Sequence, residues 1–238
     1  AVTSGEWVIR EGRLPGAVLA RVAQSHIRIG TLQYFASRQD LGSLKTLIDH
    51  VIQRHYPQAM DTEKPVRSML DGVVARQARL IAQWQSLGFI HGVMNTDNML
   101  LSGETIDYGP CAFMDEFETS KVFSSIDHGG RYAYGNQPPV AHWNLSVLAQ
   151  SLLPFLDDDQ DKALASGQAA IDAFPGLYQA AFMNSMLKKL GLMEKLDDDA
   201  ALIQDLLKLM QESQMDFTLT FRVLSDMVDP TTASGGGV

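Results

Sequence analysis

Between Gly88 and Pro110 the chain reads Gly-Phe-Ile-His-Gly-Val-Met-Asn-Thr-Asp-Asn-Met-Leu-Leu-Ser-Gly-Glu-Thr-Ile-Asp-Tyr-Gly-Pro. No other stretch limits the fold so strongly. Met99-Leu100-Leu101 and Glu104-Thr105-Ile106 flank Ser102-Gly103, the pattern of two short strands joined by a tight turn. A hairpin of that size folds back on itself, which sets Asn98 at its entry beside Asp107 at its exit. An anionic and a neutral oxygen donor brought together suit Mg²⁺, which takes few protein ligands and leaves its other positions to water and phosphate. Asn and Asp are also ordinary turn residues, so the residues alone leave turn chemistry and metal binding both open. His91 and Gly92, just upstream, add to the polar cluster.

Most of what surrounds this stretch has helical spacing. Leu41, Leu44, Leu47, Ile48, Val51 and Ile52 recur on one face of a helix over residues 40–55, with Tyr56-Pro57 as its stop. A longer helix is expected over 63–86, with Thr62 as N-cap and Met69, Val73, Val74, Ile81 and Trp84 as its buried stripe. Its end at Leu87-Gly88 delivers the chain into His91. Further helices are expected from Trp143, broken near Pro154, and from Pro175, with Leu177, Phe182, Met186 and Leu190 inside and Gly191 as the stop. Two more cover Ala200–Gln211 and Phe217–Val228. The Asp157–Asp159 and Asp197–Asp199 runs lack the alternating acids, central glycine and terminal glutamate of a calcium loop, and read as caps and solvated surface. Residues 112–139 carry no clear period, and a loop of that length in a compact domain is usually functional or disordered. Within it Asp115 and Glu116 read as a solvated acidic turn, His128 and Arg131 are candidates for touching substrate, and Cys111 just before it reads as a small buried side chain.

Residues 6–36 read as extended. Pro15 introduces a β-prone run over 16–23, and His26-Ile27-Arg28-Ile29-Gly30 alternates polar and apolar. Arg21 and Arg28 stand among small and apolar neighbours, as surface arginines often do; His26 reads as a core histidine. The tail 229–238, rich in Gly, Ser and Thr, is flexible in composition. A formal net charge of −9 argues against a basic nucleic-acid or membrane surface, and 45% apolar with 20% charged residues is ordinary for a globular chain. The single cysteine excludes an internal disulfide framework, and no apolar run approaches the ~20 residues of a membrane span. There is no P-loop, GxSxG or zinc spacing. The start has no basic-then-apolar signal and no initiating Met, so the chain reads as part of a longer protein.

Two segments carry a resemblance. His91 to Asn98 has the length of the kinase catalytic loop H-R-D-x-x-x-x-N, and Asp107-Tyr108-Gly109 stands where D-F-G would. Together, HGVMNTDN…TIDYGP…FMDEF and PGAVLARVAQSHIRIGTLQYF resemble the selenoprotein O family (YdiU-like proteins), and the match continues through GRY…NQP…WNL. The resemblance implies a mainly α fold (α+β overall), a protein-kinase-like C-lobe whose small β-hairpin carries the metal site. Residues 1–36 would be the hinge and phosphate-contacting segment, 37–228 the helical lobe and 229–238 the tail. The Gly-rich loop, strand Lys and helix Glu of an N-lobe are not found upstream of Arg21.

The resemblance further implies a protein adenylyltransferase: AMP moves from ATP to a Ser, Thr or Tyr hydroxyl of a protein, with Mg²⁺ (or Mn²⁺) as cofactor and pyrophosphate released. Arg21 and Arg28 would hold terminal phosphates of an ATP reversed relative to kinases, a task that suits the guanidinium fork. Asn98 and Asp107 would be the metal ligands and Asp97 the catalytic carboxylate. The expected partners are ATP and protein substrates, with no nucleic acid and no membrane, in the cytoplasm of a bacterium or the mitochondrion of a eukaryote. Val93 occupies the place of the kinase catalytic Asp, which accepts the substrate proton in ordinary kinases. Kinase-type phosphotransfer and a non-catalytic pseudokinase scaffold are the alternatives.

Overall fold

The chain's longest helix sets the frame. In the computed structural model, which describes residues 1–9, 12–192 and 196–228, helix α3 runs from Pro65 to Leu87. Proline at its first turn lacks the N–H that would otherwise go unsatisfied there, and Gly88 closes the helix in the left-handed region at φ 68°. Met69, Val73, Val74, Ile81 and Trp84 are buried as their spacing requires. The N-cap is Lys64, not Thr62; Thr62 instead ends a 3₁₀ turn over Pro57–Asp61, its hydroxyl donating to Ala59 O at 2.7 Å.

Around α3 stand α1 (Ile29–Ser37), α2 (Leu41–His55), α4 (Gln137–Leu156), α5 (Gln160–Asp172) and α6 (Phe174–Lys189). Asp40 caps α2 by accepting from Ser43 N at 3.0 Å. α4 begins at Gln137, six residues before Trp143, because Pro138 and Pro139 fit its first turn, and it runs through Pro154 without a break. α5 has no counterpart among the helices read from sequence; Asp159 caps it through Lys162 N at 3.0 Å, so this part of the aspartate run is a cap. α6 opens one residue before Pro175, with Met186 buried but Leu177 exposed. One apolar core joins α1 to α5 with the start of α6, and truncating a fully buried member such as Ile81 to Ala costs about 2–5 kcal/mol.

A second core gathers Ile90, Met114, Phe117, Tyr134 and Met186 with residues of α7 (Asp199–Glu212) and α8 (Phe217–Val228). It holds the long loop in place: Phe117 N donates to Met215 O, and Phe217 N donates to Asp115 O. Asp115 and Glu116 themselves are exposed, as a solvated turn should be. Further on, Asp127 accepts from Arg131 N and Tyr132 N at 2.9 and 2.7 Å. The loop is thus fixed by Met215 and Phe217 at one end and by the Asp127 carboxylate at the other.

Two antiparallel two-stranded sheets complete the described fold: β1 (Val2–Ile9) with β2 (Arg13–Val18), and β3 (Phe89–Ile90) with β4 (Ala112–Phe113). Pro15 lies inside β2 opposite Trp7 rather than ahead of the strand, tolerated because a two-stranded ribbon is all edge. Residues 29–36, expected to be extended, are helical: α1 begins at Ile29 and packs on α4. A helical lobe whose long helix feeds a polar loop is the arrangement expected of a kinase-like C-lobe. Among the described residues no helix is long and apolar enough to cross a membrane. The tail over 229–238 lies outside them.

Candidate functional site

His91 is the buried pivot of the loop that follows β3. Its backbone N–H donates to Gln137 Oε1 at 3.0 Å, and Gln137 Nε2 donates to Phe89 O at 2.9 Å. The ring stands 2.7 Å from Ile106 O through Nε2 and accepts from Val93 N through Nδ1 at 3.3 Å. An acceptor at Nδ1 and a carbonyl at Nε2 fix the neutral tautomer with its hydrogen on Nε2. Burial holds the imidazole below its ordinary pKa, outweighing the opposing pull of Ile106 O and Asp107. One ring thereby ties Val93 to the residue immediately before Asp107.

Beyond Val93, Asn144 Nδ2 donates to Met94 O at 2.8 Å, and Asn95 accepts from Asp97 N at 3.0 Å to start a 3₁₀ turn over Thr96–Asn98. Asn98 is buried, and its Nδ2 donates to Val93 O at 2.9 Å. Its amide nitrogen is therefore committed, which leaves the carbonyl oxygen as the atom to meet a cation. Asp107 sits at φ 61°, a left-handed conformation that non-glycine residues adopt at a cost and that clusters at functional sites.

The expected hairpin is reduced to a single bridge, Met99 with Thr105. The strand after Asn98 also pairs with the arginine segment: Ile29 N donates to Met99 O and Leu101 N to Ile27 O, both at 2.9 Å. This antiparallel pairing of Arg28 with Leu100 joins parts of the chain about 70 residues apart. Two ion pairs follow from it. Arg21 Nη2 lies 3.8 Å from Asp107 Oδ1, and Arg28 Nη1 lies 3.9 Å from Asp97 Oδ1 while donating to Asp97 O at 3.3 Å. All four side chains are between two-fifths and two-thirds exposed, so solvent screens these pairs and they hold their partners loosely.

Arg21, His26, Asp107 and Tyr108 line a cleft of about 440 Å³ with Leu19 and Ile106, within the size range of small-molecule sites. His26, expected in the core, is exposed in that cleft. Cys111, expected to be buried, is only half-buried, its Sγ 3.4 Å from Tyr108 O; partial burial raises its pKa. Arg131 lies over the Trp143 ring at 4.9 Å, and His128 is exposed. Asp97 and Asn98 do not line the cleft. Among the described residues no three His, Cys, Asp or Glu side chains group as a metal site.

Two site residues lie inside the matched segments without being singled out there. Gln137 looks like part of a loop, and the only hint of its role is its place before two prolines that start α4. Gly30 closes the arginine segment, and its role depends on Asp97, 67 residues away.

The family model described as Protein adenylyltransferase SelO matches residues 1–236. Similar curated proteins are named protein nucleotidyltransferase YdiU. The one from Methylorubrum populi is 58% identical over 225 residues, covering 94% of this chain and 45% of its own length. That from Bradyrhizobium diazoefficiens is 58% identical over 226 residues (95% and 46%), and that from Shouchella clausii 52% over 235 residues (99% and 48%). The chain spans about half the length of the curated relatives it matches.

Proposed function

Because the chain belongs to the SelO protein adenylyltransferase family, we propose that it carries the nucleotide and metal site of an enzyme that transfers AMP from ATP to protein Ser, Thr or Tyr hydroxyls. The observation that carries this reading is the pair of arginine–aspartate contacts, Arg21 with Asp107 and Arg28 with Asp97. Cations and carboxylates that neutralise one another at about 4 Å, half in solvent, are ready to trade partners with a nucleotide and its metal.

In this reading Arg21 and Arg28 turn their guanidinium forks to the terminal phosphates. The carbonyl oxygen of Asn98 and the carboxylate of Asp107 fit Mg²⁺ or Mn²⁺: both are hard oxygen donors, and two protein ligands suffice for a metal that keeps water and phosphate. When bound, the metal neutralises charge on the phosphates in the transition state. Asp97 orients the acceptor hydroxyl or takes its proton as the hydroxyl oxygen bonds to the α-phosphorus. The bond from that phosphorus to the bridging oxygen breaks, and pyrophosphate leaves.

Kinase-type transfer is disfavoured at one residue. Val93 has its N–H on His91 and its carbonyl on Asn98, and its side chain has no atom that can accept a proton. ATP labelled separately at the α and γ positions decides between the two. Incorporation of the α label into protein is expected; label retained only from the γ position would overturn the adenylyl-transfer reading.

A further inference from the structure

The segment between Leu19 and Arg28 has no helix and no ladder except its last residue, yet it must present Arg21. What fixes it is a clamp on Gln24 and Ser25. Gln24 N–H donates to the Glu104 carboxylate, 3.1 Å from Oε2 and 3.4 Å from Oε1. Its carbonyl accepts from Arg54 Nε at 2.9 Å and again from Arg54 Nη2. Ser25 Oγ lies 2.7 Å from Nε2 of the buried His55.

The clamp is itself braced. Ser102 Oγ donates to Glu104 Oε2 at 2.6 Å, and Arg76 donates to His55 O at 2.8 Å and to Ser102 O at 3.3 Å. Gly103, at φ 77°, lets the turn lie against Arg76: a Cβ there would come within 2.7 Å of Arg76 Cβ. The turn between Asn98 and Asp107 thus ends in a carboxylate that holds the strap carrying the two arginines. None of Glu104, Arg54 and His55 lines the cleft.

We propose that Glu104, Arg54 and His55 are positioning residues for the phosphate grip, fixing the backbone of Gln24 and Ser25 so that Arg21 and Arg28 face the nucleotide already ordered. This rests on the reading of those arginines as phosphate ligands. A strap ordered beforehand spares the nucleotide the cost of ordering it, so loss of the clamp weakens binding without touching a ligand.

The test is calorimetric titration of Mg-ATP into the wild-type chain, Arg21→Ala, Glu104→Ala, Arg54→Ala and the Arg21→Ala/Glu104→Ala double variant, with a thermal melt of each. Glu104→Ala and Arg54→Ala are each expected to raise Kd roughly tenfold with a melting temperature lowered by no more than a few degrees, since Arg54 is exposed and Glu104 is only half-buried. Glu104→Gln keeps an acceptor for Gln24 N–H and restores most of the affinity. With Arg21 already removed, Glu104→Ala adds much less, because the two share one effect. Wild-type Kd in both Glu104→Ala and Arg54→Ala, or full additivity with Arg21→Ala, would overturn the inference while leaving the arginine reading intact. An Arg21→Ala variant that binds Mg-ATP as the wild type does would overturn that reading itself.

Discussion

A Cβ added to Gly30 would lie 2.4 Å from Asp97 Oδ1 and 3.3 Å from the carbonyl carbon of Thr96. The start of α1 and the carboxylate read as catalytic share that space only because residue 30 has no side chain. Gly30→Ala therefore pushes Asp97 off its present position and away from Arg28. Alanine favours a helix over glycine by about 1 kcal/mol, so the fold itself loses little. The expected result is label transfer reduced at least about tenfold with a nearly unchanged melting temperature. A variant that keeps full activity would show that Asp97 need not sit where it does.

Asp97→Asn separates chemistry from binding. The amide keeps the shape and loses the proton acceptor, so transfer of the α label should fall by about 10²–10⁴-fold. Mg-ATP affinity should fall little, because Asp97 is not one of the proposed metal ligands. Equal losses in binding and transfer would place Asp97 among the nucleotide ligands instead.

Gly72, midway along α3, lies under the ring of Tyr56: a Cβ there would come within 2.6 Å of Cδ1 and 2.7 Å of Cε1. Tyr56 is buried, its hydroxyl donating to Leu101 O at 2.5 Å, next to the pairing of Leu100 with Arg28. Gly72→Ala gains about 1 kcal/mol of helix propensity but overpacks a rigid ring, which costs about 1–3 kcal/mol. The clash wins. Denaturant unfolding should register a net loss of about 1 kcal/mol, and a more stable variant would contradict this packing.

Acid should loosen the fold before the carboxylates titrate. Burial holds both His91 and His55 below the ordinary histidine value of 6.5; Arg54 and Arg76 add to the effect at His55, and Glu104 opposes it. A base whose folded pKa is depressed binds more protons when unfolded, so its stabilising contribution is complete above about pH 6.5 and is lost as pH falls below it. For the fully buried His91 the slope approaches about 1.4 kcal/mol per pH unit until its folded pKa is reached. Urea midpoints at pH 7.5 and 5.5 check this; equal midpoints would mean that neither imidazole must stay neutral.

Helices with a clear apolar stripe were legible in the sequence. α2 and α3 fall within two residues of their expected limits because their buried positions repeat at helical spacing. α5 was not, since its buried face is built from Ala163, Gly167 and Ala170 with Ile171 as its one large apolar residue, which gives no strong periodic signal. The candidate site residues were named through motif resemblance, and the contacts of Arg21 with Asp107 and of Arg28 with Asp97 come from the structure. The Met99–Thr105 bridge closes the turn expected between Asn98 and Asp107, while the further pairing of Leu100 with Arg28 was not expected. Local turn chemistry cannot announce a partner some 70 residues upstream. His26 was misplaced for the same reason, since whether an alternating run faces the core or a cleft depends on what covers it.

If Asp107 and the two arginines form one Mg-nucleotide site, calorimetric titration of Mg-ATP distinguishes the wild-type chain from Asp107→Ala. Saturable heat is expected for the wild type and its loss in the variant, with both melting as folded proteins. Equal heat and affinity in the two would contradict a single site.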